Sequence, residues 1–96
     1  MADTKTLSKE FQRIPNVGPK MAEDLIQLGV TSTAQLAKMD PDDMYDRMCA
    51  ISGARQDPCV WDTYAAIVDY AQTSVKKNWW DFTAERKKRW AKQGRK

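Results

Sequence analysis

The sequence predicts an all-α protein: a five-helix domain of two helical hairpins joined by a short connector, followed by a basic C-terminal extension. Three observations carry this. Apolar residues recur at helical spacing, as Leu7, Phe11 and Ile14, then Met21, Ala22, Leu25, Ile26 and Leu28, and again in two later runs. Asp40-Pro41 and Asp57-Pro58 each place a capping carboxylate ahead of a proline suited to the first helical position. Gly29 and Gly53 stand just past the ends of two runs, where a helix commonly stops in the left-handed conformation.

In chain order, residues 1–5 carry no pattern and are expected to fray. A first helix is expected over 7–13, with Thr6 as its cap, and Pro15 ends it because the residue before proline avoids the helical region. Asn16-Val17-Gly18 then makes a tight turn, with two residue types that tolerate positive φ around one Val. Pro19 opens a second helix that Gly29 closes. Residues 30–33 read as a loop ending in a cap, followed by a short helix to about Met39 that buries Leu36 and Met39.

The fourth helix starts at Asp40-Pro41, carries Asp42 and Asp43 in its first turn where the dipole favours them, and runs to Ile51 or Ser52. Met44, Tyr45, Met48 and Ile51 are its expected core residues. The fifth runs from Asp57-Pro58 to about Thr73 and has a wide apolar face of Val60, Trp61, Tyr64, Ile67, Val68 and Ala71. Trp79, Trp80 and Phe82 read first as a hydrophobic cover over these helices, and Thr83 as the cap of a short helix through Trp90. Disorder is expected beyond Gln93.

The stretch Ile14-Pro-Asn-Val-Gly-Pro-Lys-Met-Ala22 resembles the helix-hairpin-helix motif of DNA repair and recombination proteins. Ile14, Val17, Gly18 and Ala22 match its usual pattern, and Pro19-Lys20 matches a common variant. Asn16 departs from it, standing where the first glycine normally sits. The pair after Asp40, with ISGARQDP between its helices, is a degenerate copy. More widely, IPNVGPKMAEDLIQLGV, DPDDMYDRMCAISGARQDPCVWDTY and the Trp79-Trp80 pair before a basic end resemble the small bacterial pathogenicity-locus family, over roughly residues 10–85. Some relatives in that family are labelled mitomycin resistance proteins. The resemblance implies a DNA-associated role, with repair or recombination as its setting.

Ninety-six residues with 42% hydrophobic and 30% charged composition allow one compact core. No run is long enough for a membrane span, and MADTKTLSKEF lacks the apolar centre of a signal peptide, so a cytoplasmic protein is expected. There is no histidine, which removes the commonest general base and metal ligand. Cys49 and Cys59 lack metal-site or redox spacing and are expected to be buried free thiols. No catalytic constellation, cofactor or metal site is expected.

The net charge of +3 conceals a split. Residues 1–75, read as the helical domain, hold seven Lys/Arg against eleven Asp/Glu; residues 76–96, read as the extension, hold nine against two. Candidate phosphate contacts are Asn16, Val17, Gly18, Pro19 and Lys20, where backbone N–H groups at a helix start suit an anion, supported by Lys9 and Arg13. Arg86, Lys87, Lys88 and Arg89, beside Trp90, are candidate contacts from a solvated basic tail. The expected activity is non-sequence-specific binding of duplex DNA. The alternatives are an adaptor docking a protein partner through its apolar and acidic faces, and a thiol redox protein using Cys49 and Cys59.

Overall fold

A computed structural model describes residues 4–95, whose regular secondary structure is all helical, with no strand among them. The elements are α1 (Thr4–Phe11), α2 (Pro19–Gln27), α3 (Thr33–Leu36), α4 (Pro41–Ser52), α5 (Pro58–Thr73), a 3₁₀ turn (Trp79–Phe82) and α6 (Thr83–Gln93). No helix is long and apolar enough to cross a membrane.

Helix α1 is shifted from the sequence expectation. It already includes Thr4 and Lys5, so Thr6 lies within the helix rather than capping it, and it stops at Phe11. The cause is a turn at Ile14–Val17, closed by the Val17 N–H donating to the Ile14 carbonyl at 3.2 Å. Pro15 and a positive φ at Asn16 (74°) follow the type II pattern and take the chain out of the helix. The fraying expected of residues 1–3 lies outside the described residues. Helix α2 ends as expected: Gly29 has φ 87°, its N–H donates to Ile26, and the Val30 N–H donates to Leu25. This pair of bonds is the Schellman closure, and it buries Val30 with Leu25.

Ser32 caps α3 by accepting from the Gln35 N–H, and Asp40 caps α4 by accepting from the Asp42 N–H at 3.0 Å. Gly53 ends α4 at φ 71°. Helix α3 is shorter than expected, stopping at Leu36. Asp57 stands in the cap position of α5 but its side chain makes no cap bond.

The core is built on α5. Trp61, Tyr64 and Ile67 are fully buried there, against Met44 and Met48 of α4, Leu36 of α3, and Phe11 and Leu25 of the α1–α2 pair. Ile51, expected inside, is 49% exposed, because it lies in the last turn of α4 beside the open loop.

The C-terminal segment differs most from its reading as a solvated tail. Trp90 is only 3% exposed and meets Tyr45 edge-on, with ring centroids 5.2 Å apart. The 3₁₀ turn packs along α5, and α6 packs on both. The disorder expected beyond Gln93 is not found at Gly94 and Arg95: the Arg95 N–H donates to the Trp90 carbonyl at 2.9 Å, and its guanidinium grips Asp46 with two bonds of 2.7 and 2.8 Å, while Lys96 lies outside the described residues.

Candidate nucleic-acid interface

The loop between α1 and α2 presents a short run of backbone at a helix start. Gly18 precedes Pro19 and accepts the Ala22 N–H through its carbonyl at 2.9 Å, which starts α2. Its φ of −96° is one that any residue adopts, and a Cβ built there would meet nothing within 4 Å. Glycine is therefore not required at 18 by left-handed backbone or by internal crowding. What its bareness provides is an unshielded approach from outside. Pro19 and Lys20 are exposed beside it, whereas Val17 is buried and anchors the loop to the core.

Asn16 does something the sequence did not suggest. Its amide Nδ2 donates to the Lys77 carbonyl at 2.8 Å, and its Oδ1 accepts the Trp79 N–H at 3.3 Å. The side chain thus joins the hairpin to the segment between α5 and the 3₁₀ turn. A glycine could make the same turn but neither bond. Asn16 satisfies the positive φ and spends its polar atoms inside the fold, so its amide is not offered to a ligand.

The other candidate cations divide into two groups. Lys9 and Arg13 are exposed and line, with Thr6 and Glu10, a groove of about 360 Å³ on α1. Pro19 lines a different groove, of about 280 Å³, with Lys5, Ser8, Glu23 and Ile26 between α1 and α2. On α6, Lys87 and Lys88 remain exposed. Arg86 and Arg89 are turned inward. Arg86 Nε donates to Asp62 at 2.7 Å and its guanidinium lies 5.2 Å from the Trp90 ring centre. Arg89 donates to Glu85 at 3.2 Å, lies over Trp61 at 5.2 Å, and approaches Asp42 at 3.9 Å.

Sequence reasoning missed Asp62. It is fully buried on the apolar helix α5, where it accepts from Arg86 and, at 2.8 Å, from the Thr83 hydroxyl. An acid inside an otherwise apolar run was the available signal, since a buried carboxylate requires a cation. The acids at the start of α4 are engaged in the same way. Asp42 accepts from the Trp61 indole at 2.7 Å and from Gln93 at 2.8 Å, and Asp46 from Arg95. Much of the acidic charge of the helical body thus faces the basic charge of α6, which reduces the field either would project alone.

Cys49 and Cys59 are both free; Cys49 is half-buried and accepts the Gln56 N–H, while Cys59 is exposed rather than buried as expected. Among the described residues no group of Cys, Asp and Glu is arranged to hold a metal ion.

Comparison with known proteins places the chain in a family. The family model described as pathogenicity locus (Cdd1) matches residues 4–88. A curated relative from Streptomyces lavendulae, named mitomycin resistance protein McrB, is 37% identical over 91 residues, covering 95% of this chain and 87% of its own. No solved structure matches the chain.

Proposed function

The chain belongs to the pathogenicity-locus family, and from that premise we propose that it binds duplex DNA through backbone phosphates, with little sequence preference, at the hairpin between α1 and α2. In this reading α1, the hairpin and α2 form a helix-hairpin-helix unit, and α4 and α5 form its degenerate copy. The observation that carries the reading is Gly18: an exposed, side-chain-free residue at the start of α2, in ordinary backbone geometry, with open space where a Cβ would stand. A phosphate oxygen approaching there meets N–H groups at the positive end of the helix dipole, with Lys20 alongside.

Lys9 on α1, Arg13 just after it, and Lys87 and Lys88 on α6 add unspecific attraction. Arg86 and Arg89 contribute less, because their charges are spent on Asp62, Asp42 and Glu85. No reaction is assigned. DNA repair or recombination is the proposed setting, and the resistance named for the Streptomyces relative is a proposed cellular consequence.

The test is Lys20→Glu. Duplex affinity should fall alike on every sequence, and the dependence of log K on log salt should flatten by about one unit, as for one lost phosphate contact. Unchanged affinity and slope would remove the hairpin from the interface. The adaptor reading draws on the exposed Ile51 and Val75, and it would gain if the protein bound no duplex even at low salt.

A further inference from the structure

Trp80 is 57% exposed, the largest side chain left so open among the described residues. It is not on a loose loop. The 3₁₀ turn that carries it begins with a capping box in which Asn78 and Asp81 bond to each other's backbone. Lys77, just before, pairs with Asp69 at 2.9 Å. Trp79 meets the Trp80 ring edge-on at 84°, with centroids 5.5 Å apart. The Trp79 N–H is in turn held by Asn16. One side chain therefore ties together the hairpin read as a phosphate site and the segment bearing an exposed indole.

The surroundings are cationic. Lys76 is exposed on the same segment beside the paired Lys77, and Lys20 is exposed in the first turn of α2, just after the hairpin that Asn16 ties to this segment. Of the acids beside it, Asp81 accepts the Asn78 N–H and Asp69 is paired with Lys77. An exposed indole among lysines suits a partner that is anionic and also presents an aromatic face. Nucleic acid has both, but in unbroken duplex each base is already stacked on its neighbours. A base face becomes available only where pairing or stacking stops.

We infer that Trp80 is a stacking platform for an unpaired DNA base, so that the protein takes duplex interrupted by a gap or single-stranded stretch in preference to unbroken duplex. This rests on the hairpin binding phosphate and adds to it: the hairpin holds the backbone, and Trp80 reads the discontinuity.

The experiment compares the full chain on a blunt duplex and on the same duplex with a short gap carrying a fluorescent purine analogue. The gapped substrate should bind at least about five-fold tighter, the lower end of what one stacked base contributes, with quenching of the analogue. Trp80→Ala should erase both the preference and the quenching while blunt-duplex affinity stays within about two-fold, since no phosphate contact is lost. Trp80→Phe should keep part of each. Lys20→Glu should weaken both substrates by the same factor. Equal affinity for the two substrates, or a preference that survives in Trp80→Ala, overturns the inference and leaves the phosphate reading standing. Failure to bind either substrate overturns both.

Discussion

Asp62 and Arg86 meet at 2.7 Å beneath the surface, with side chains 1% and 14% exposed, and join the second turn of α5 to the first turn of α6. The Thr83 hydroxyl takes the second carboxylate oxygen at 2.8 Å. A buried carboxylate is tolerable only when paired, and here both oxygens have donors.

Breaking that pair from one side is expected to be costly. Arg86→Ala leaves a buried charge with one hydroxyl, and a loss of roughly 3–5 kcal/mol follows for an orphaned partner of this kind. Replacing both, as Asp62→Asn with Arg86→Met, should recover much of it. Thermal or urea unfolding measures each variant. A single variant as stable as the parent would show that the pair does not hold α6.

Truncation after Phe82 separates the packed and the solvated views of the C-terminus. If the tail were solvated, the remaining helices would keep their stability. With Trp90 buried against Tyr45 and Asp62 dependent on Arg86, the truncated chain should lose more than the ~3–5 kcal/mol typical of deleting one large core aromatic. Helical circular dichroism across a melt decides between them.

Asn16→Gly restores the residue usual in the helix-hairpin-helix motif and accommodates the positive φ. It removes the bonds to Lys77 and Trp79, at a cost of about 1–2 kcal/mol for one exposed and one part-buried hydrogen bond. Hydrogen exchange at the Trp79 amide should quicken while phosphate affinity is retained. Unchanged exchange at Trp79 would mean that the clamp does not operate in solution.

The contact between Asp46 and Arg95 gives a pH dependence with a definite sign. The Arg95 guanidinium, chiefly through its hydrogen bonds, holds the Asp46 carboxyl below the usual aspartate value, against a smaller opposing effect of partial burial. A carboxyl depressed in the folded state adds stability above its unfolded value and loses it as pH falls through the folded one. The Asp46 side chain is 56% exposed, so the contribution is small and screened by salt. Asp46→Asn should melt slightly below the parent near neutrality, and the gap should close in acid. A gap that persists in acid would point to packing instead.

Local chemistry made the helices legible. Proline after Asp40 and Asp57, glycine at 29 and 53, and apolar spacing along 60–71 act within one or two turns, so their consequences can be read in sequence order. The turn before α2 was legible at Asn16, which has the positive φ, but not at Gly18, whose φ is −96°. The start of α1 was not, because it lacked an equally strong boundary signal and Thr6 offered a misleading one.

The pairing of charges was a different matter. Nine cations against two acids after residue 75 looked like a solvated end, because a charge count carries no period and no direction. Only folding sets Asp62 beside Arg86 and Asp46 beside Arg95, and attraction between such charges grows as their separation falls. The same holds for Asn16, whose side chain reaches residues more than sixty positions away. The sequence by itself determined where α2, α4 and α5 begin and stop, since those choices rest on backbone sterics and hydrogen bonds between near neighbours. The tertiary structure alone decided which polar side chains face inward and which remain for a partner, because that depends on what the packed core brings alongside them.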